Sequence, residues 1–310
     1  MKKQSLMLFP KFTNDQIVKR LRWVMATMVM FTIANTIAGQ PGTFWHNPAT
    51  AMRGDGLSIN NPTNHTFGFF LGYGWLPFLV ASLTFLLMAL LLVSVVPRKP
   101  ALVIILTIIF GYYYEASNWL AVRWHLGFQG PILYGLAVSM AIVYTAFQPN
   151  LPVKAIKSLR WIMLFATLTD ATFTLWGQPS AYWHRPNIVD EGNQVSRFFL
   201  MHGWYSYLAE QAVICFALYW LVSVLSRPWG LFVALCFILG GFAGASNWLF
   251  YRWLLGMEAP VLFGAVLSFA IVLFTFSSES RVEGATDSAE RQKETRIPSR
   301  RKGWLLRECY

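Results

Sequence analysis

Gly177-Gln178-Pro179-Ser180-Ala181-Tyr182-Trp183-His184-Arg185-Pro186 is written twice in this chain. The earlier copy is Gly39-Gln40-Pro41-Gly42-Thr43-Phe44-Trp45-His46-Asn47-Pro48, and the shared frame is Gly-Gln-Pro-x-x-aromatic-Trp-His-x-Pro. Each copy follows an apolar segment that opens with Leu-Arg-Trp, at Leu21-Arg22-Trp23 and Leu159-Arg160-Trp161. A second motif also recurs: Ala116-Ser117-Asn118-Trp119-Leu120-x-x-Arg123-Trp124 returns as Ala245-Ser246-Asn247-Trp248-Leu249-x-x-Arg252-Trp253. Aligning 116–147 with 245–276 gives 17 identities in 32 positions. Apolar composition alone does not produce that, so the sequence predicts a tandem duplication.

The offset is 138 residues at the Gly-Gln-Pro motif and 129 from Gly74-Trp75 against Gly203-Trp204 onward. The first half therefore carries nine extra residues, placed near Ala51 to Asn64.

Composition gives the class. Of 310 residues, 55% are hydrophobic and 13% charged, with 14 Trp and 25 Phe. Apolar runs fall near 21–38, 67–96, 101–123, 131–148, 159–176, 198–226, 229–251 and 260–277. Each spans, or nearly spans, a hydrocarbon core of about 30 Å at roughly 1.5 Å per residue. The second and sixth exceed that length and are expected to tilt or project, with a kink at Gly74 and Pro77 in the second.

The expected fold is therefore an all-α integral membrane protein of eight transmembrane helices, in two four-helix repeats. An even number of crossings per repeat makes the repeats parallel, about an axis along the membrane normal. The expected layout is an N-terminal segment (1–20), a first repeat (21–148), a linker (149–158), a second repeat (159–277) and a disordered basic tail (278–310). The run after Met1-Lys2-Lys3 is taken as a retained first helix, because it has a mid-chain counterpart at Trp161 to Trp176 where no leader can sit.

Charge sets the orientation. Lys and Arg gather before the first helix (Lys11, Lys19, Arg20, Arg22), at Arg98 and Lys99, at Lys154, Lys157 and Arg160, at Arg227, and in the tail. The intervening loops hold only Arg53, Arg185 and Arg197. The positive-inside rule then puts both termini in the cytoplasm of a bacterial cell membrane and both Gly-Gln-Pro loops outside. The net charge of +11 is spread over these clusters and the tail. It marks topology and lipid contact, and nucleic acid is not an expected partner.

Within this frame, Trp45, His46, Trp183 and His184 read in two ways. They are interfacial anchors at a re-entry turn, or they line a ligand site across the pseudo-twofold axis. In the second case His46, His184, His202 and Glu191 are candidate metal ligands. Asn118, Arg123, Asn247 and Arg252 are interhelical glue with an Arg-on-Trp anchor, or a site for an anionic group. Gly135-x-x-x-Ser139 and Gly264-x-x-x-Ser268 are packing motifs placed where the halves meet.

Polar residues that break the duplication stand apart. Asp170 replaces Thr32, Glu210 replaces Ala81, and Glu115 faces a Gly244 counterpart. Carboxylates inside a membrane are rare and point to function, here a ligand group (Glu115) or a proton or ion relay (Asp170, Glu210). The alternative is a buried carboxyl satisfied by its neighbours.

Arg53-Gly54-Asp55 and Asn64-His65-Thr66 are short matches with no supporting context. Cys215, Cys236 and Cys309 have no metal-ligand spacing. No phosphate loop, HExxH or GxSxG occurs, so catalysis stays open and no cofactor is assigned. The expected function is binding or processing of a hydrophobic or amphiphilic molecule at the outer leaflet. Proton- or ion-coupled transport and a role as accessory subunit to a membrane partner are the alternatives.

Overall fold

Gly74 and Gly203 divide the two longest apolar runs. In the computed structural model, which describes residues 14–40, 42–48, 65–146 and 153–276, they take φ of +117° and +106°. Such backbone is open to glycine and strained for any L side chain. The runs 67–96 and 198–226, expected as single long helices, are therefore each a short helix followed by a long one. Pro77 makes no kink, since it sits in the first turn after the break, where its missing N–H has no partner to lose.

Ten α-helices result among the described residues: α1 (Asn14–Ala38), α2 (His65–Gly72), α3 (Trp75–Val95), α4 (Arg98–Asn118), α5 (Gln129–Ala146), α6 (Val153–Trp176), α7 (Gln194–Met201), α8 (Trp204–Val224), α9 (Arg227–Asn247) and α10 (Glu258–Ile271). Single π turns extend α4 over Trp119–Arg123, α9 over Trp248–Arg252 and α10 over Val272–Phe276. Residues 1–13, 41, 49–64, 147–152 and the tail from 277 lie outside the described residues, as do the side chains of His65 and Arg123.

Among the described residues, six helices are long and apolar enough to cross a membrane: Gln16–Ala38, Trp75–Val95, Arg98–Ala121, Trp204–Val224, Arg227–Arg252 and Glu258–Thr275. Gln129–Thr145 is apolar but shorter. Val153–Trp176 is 24 residues long but carries Lys154, Lys157, Arg160 and Asp170, so composition does not mark it as a span. The chain is a helical membrane protein. Its outer face carries many exposed large apolar side chains, such as Trp23, Leu87, Phe216 and Leu262, as lipid contact requires.

α4 and α9 form the middle of the bundle and are the most buried of the long helices, while α3 and α8 are the least. α1 packs on α4 and α6 on α9, and the fourth long helix of each half crosses to the other half: α5 lies against α9, and α10 against α4. Close approach there depends on Gly264, where a Cβ would stand 3.0 Å from Phe110 Cβ. Phe110 and Phe242 meet edge to face at 4.8 Å between the central helices.

Backbone and side-chain details pair off along the chain. Positive φ occurs at Gly74 and Gly203, His125 and Leu254, Gly127 and Gly256, each pair 129 residues apart. The arginine of each Leu-Arg-Trp motif caps a helix C-terminus. Arg22 Nη2 donates to Val93 O at 2.7 Å and Arg160 Nη2 to Val222 O at 3.4 Å, satisfying carbonyls that the helix itself leaves free. The flanking leucines are fully buried and the flanking tryptophans face outward, at 70% and 65% exposure.

Candidate functional site

The Gly-Gln-Pro loops are built the same way. Gly39 N–H closes onto Asn35 O at 2.9 Å and Gly177 N–H onto Phe173 O at 2.8 Å, ending α1 and α6. The glutamine then folds back, with Gln40 Nε2 donating to Thr36 O and Gln178 Nε2 to Thr174 O, both at 2.9 Å. A 3-10 turn follows in each (Gly42–Trp45, Ser180–Trp183). Its aromatic residue before Trp plugs the bundle: Phe44 and Tyr182 are fully buried. Tyr182 O–H donates to Leu200 O at 3.1 Å, pinning α7 beneath the loop.

Trp45, His46, Trp183 and His184 point outward and are exposed. His202 is exposed as well; its Nδ1 donates to Phe198 O at 2.8 Å and its ring packs on Phe198. Among the described residues no three His, Cys, Asp or Glu side chains gather as a metal site requires.

Trp119 and Trp248 lie under the loops. A Cβ at Gly39 would run into the Trp119 ring and one at Gly177 into the Trp248 ring, so the glycine of one motif is fitted to the tryptophan of the other. Trp248 Nε1 also donates to Thr174 Oγ1 at 2.8 Å, whereas Trp119 Nε1 is buried without a partner. Arg252 is exposed, and the cation–π contact among the described residues is Arg160 over Tyr219 at 5.6 Å. Asn118 is buried beside Tyr114, with its Nδ2 unpaired, and Asn247 is half-buried with Oδ1 unpaired.

The carboxyl groups sit just below. Glu115 is 7% exposed and faces the Thr36 hydroxyl across the α1–α4 contact. With Thr32, Phe78, Ser82 and Tyr112 it surrounds a void too narrow for a water molecule. In the second half Asp170 lies against Gly244, where any side chain would collide with its carboxyl, and it faces the Thr174 hydroxyl. Buried Tyr207 is close to Thr174 and interacts with Asp170, Glu191 and Glu210. Glu210 is 8% exposed; its Oε1 accepts from Ser196 Oγ at 3.3 Å and its Oε2 is buried without a partner.

The loop between the Ser180–Trp183 turn and α7 closes over this cluster. Gln178 clamps it twice, donating Nε2 to Asp190 O at 3.1 Å and accepting Asp190 N–H at 2.9 Å. Glu191 Oε1 accepts Asn193 N–H at 2.7 Å. Burial holds the Glu191 carboxyl above the ordinary Glu range; nearby Asp190 and Glu210 add to this, and the backbone donors of Asn193 and Gly192 oppose it.

Beside the cluster a cleft of about 380 Å³ opens between α6 and α8. Leu168, Leu175, Trp176, Trp183 and Leu208 make its walls, and Thr172 and Gln211 are its polar groups. The structure thus brings together Asp170, Glu191, Glu210 and Trp183 of the sequence candidates. It places Glu115 apart, in the first half, and leaves the four expected metal ligands unconverged. Thr36, Thr174 and Tyr207 were not singled out by sequence. A signal was present, since the duplicated frame extends back to Thr-x-x-Gly-Gln-Pro at Thr36 and Thr174.

No protein-family model matches this chain, and no curated protein or solved structure is significantly similar to it.

Proposed function

We propose that this membrane protein binds a hydrophobic or amphiphilic molecule at its outer-leaflet face, in the cleft between α6 and α8. The cleft itself carries the proposal. Its size is in the range of small-molecule sites, its walls are apolar and aromatic, and a few polar groups are set to orient a headgroup or ring substituent. Trp183 of the Gly-Gln-Pro loop forms its outer rim.

The outer-leaflet placement rests on a finer architecture that we propose with it: eight spans in two parallel four-helix repeats, with both termini cytoplasmic. Support comes from the paired positive-φ residues, the two arginine caps, the two Gly-on-Trp contacts and the cytoplasmic-side clustering of Lys and Arg. In that arrangement α5 and α6 also cross the bilayer, as the counterparts of α10 and α1.

Native mass spectrometry of protein released from nanodiscs into mild detergent tests the cleft. Wild type is expected to retain a stoichiometric organic adduct. Ala212→Trp, which fills the cleft from an exposed position, is expected to lose at least roughly tenfold of it. An adduct equally abundant in both proteins, or none on wild type, refutes the cleft as the site.

A second reading is proton- or ion-coupled transport. The observation that favours it is the run of interacting acidic and hydroxyl groups from surface Glu191 through Tyr207 to Asp170 and Thr174.

A further inference from the structure

At two aligned positions the halves differ by a carboxyl, and the two differences offset each other. Position 32 is Thr in the first half and its counterpart 170 is Asp; position 115 is Glu and its counterpart 244 is Gly. Taken one at a time these are two unrelated divergences. In space they are one exchange. Asp170 reaches from α6 across to α9 and fills the place a side chain at 244 would need. Glu115 reaches the other way, from α4 across to α1. Each carboxyl faces the threonine of the same duplicated frame, Thr36 or Thr174.

We propose that each half holds one proton-binding carboxyl at an equivalent place in the bundle, supplied by Glu115 from α4 in the first half and by Asp170 from α6 in the second. The threonine hydroxyl in each half is the group that shares the proton.

The surroundings fit a proton better than a larger cation. The void at Glu115 does not admit a water molecule, so a hydrated ion has no room. No Lys, Arg or His acts on either carboxyl among the described residues. A carboxylate in apolar surroundings without a counter-ion takes up a proton or is not tolerated. At Glu115, Tyr112 of its own helix is the titratable neighbour, with Thr36 facing from α1, and Phe78 and Ser82 from α3. The Thr36 hydroxyl is buried and faces the carboxyl, so it can hydrogen-bond the group in either protonation state. At Asp170 the titratable neighbours are Glu191 from the loop before α7 and Tyr207 from α8, with Thr174 on its own helix and Gly244 on α9. Thr174 Oγ1 already accepts from Trp248, which leaves its O–H to donate to Asp170.

Infrared difference spectroscopy of the protein in nanodiscs, titrated with acid and base, tests this. The expected result is a carbonyl band of protonated, hydrogen-bonded carboxyl with two components that vanish on alkalinisation. Glu115→Gln removes one and Asp170→Asn the other. The paired change Asp170→Thr with Gly244→Glu rebuilds the first half's arrangement in the second, and restores the missing component near the frequency of the Glu115 one. The reciprocal pair, Thr32→Asp with Glu115→Gly, covers the case where the first does not fold. Absence of the band in wild type, or a band untouched by either single change, overturns the proposal. So does failure of a folded exchanged pair to regain its component. The cleft's ligand is read by mass, so the two proposals fail separately.

Discussion

The α1–α4 contact and the α6–α9 contact share one frame and differ in what fills it. On α4, Tyr112 and Glu115 stand at the contact with α1, while Tyr113 and Tyr114 between them pack on α5 and α9; at the places of Tyr112 and Glu115, α9 carries Gly241 and Gly244. The bulky side is therefore the central helix in the first half. In the second half α9 is pared back, and a Cβ at 241 would already stand 2.8 Å from the Ala166 backbone. Asn35 accepts from Trp124 Nε1 in the first half, where Phe173 meets Trp253 edge to face at 5.1 Å in the second. The scaffold contacts are alike while the chemistry between them differs: one half is closed around Glu115, and the other holds several carboxyls beside an open cleft.

Placing bulk on the pared helix breaks this comparison most severely. Gly241→Leu forces α9 off the α6 backbone, with an expected loss of roughly 3 kcal/mol, at the top of the usual overpacking range. Tyr112→Phe at the aligned position keeps the ring and removes a buried hydroxyl that has no partner, so it is expected to be neutral or slightly stabilising. Thermal unfolding followed by size-exclusion in detergent reads both; equal losses would show that the two contacts are built alike after all.

The tryptophans give a finer cut. Trp119→Phe and Trp248→Phe remove the same ring volume, but only the second leaves a buried threonine without its donor. Its penalty is expected to exceed the other by about 1 kcal/mol, the net worth of one hydrogen bond. No difference in melting temperature would mean that Thr174 finds another partner.

Much of this was legible before any coordinates. The motif pairs and the apolar runs are set by composition and spacing, and among the described residues six of the eight runs hold a helix long and apolar enough to cross a membrane. The breaks at Gly74 and Gly203 were half visible, because Gly-Trp recurs there, but an apolar run does not announce where its backbone turns. The site was less legible. Reading Trp and His as the business end of the Gly-Gln-Pro loop followed residue type, whereas burial chose Phe44 and Tyr182, one position earlier. The exchange between Asp170 and Glu115 could not be read from aligned columns, since each column shows a loss; only the contact of α6 with Gly244 joins them. Glu210 and Glu191 come together through the fold of the loop before α7, which no local pattern encodes.

That loop supplies the smallest and most specific prediction. Glu191 is held above the ordinary Glu range chiefly by burial, with Asp190 and Glu210 adding to the effect. The folded protein therefore binds the Glu191 proton more tightly than the unfolded chain does. The sign follows from linkage: the contribution is fully present below the ordinary Glu value and is lost as pH rises through the raised folded-state value. Glu191→Gln removes this contribution, so its stability profile should be flatter than wild type over the pH interval just above the ordinary Glu range, and parallel to it at higher pH. The change is small because Glu191 is only half-buried and keeps its hydrogen bond from Asn193 N–H. Melting temperatures of both proteins across that interval measure it. A wild-type curve that instead rises with pH there, and flattens in the variant, would mean that Glu191 is stabilised as the carboxylate. The loop before α7 would then hold Glu191 as an anion, through the Asn193 and Gly192 N–H groups, against the opposing effect of burial.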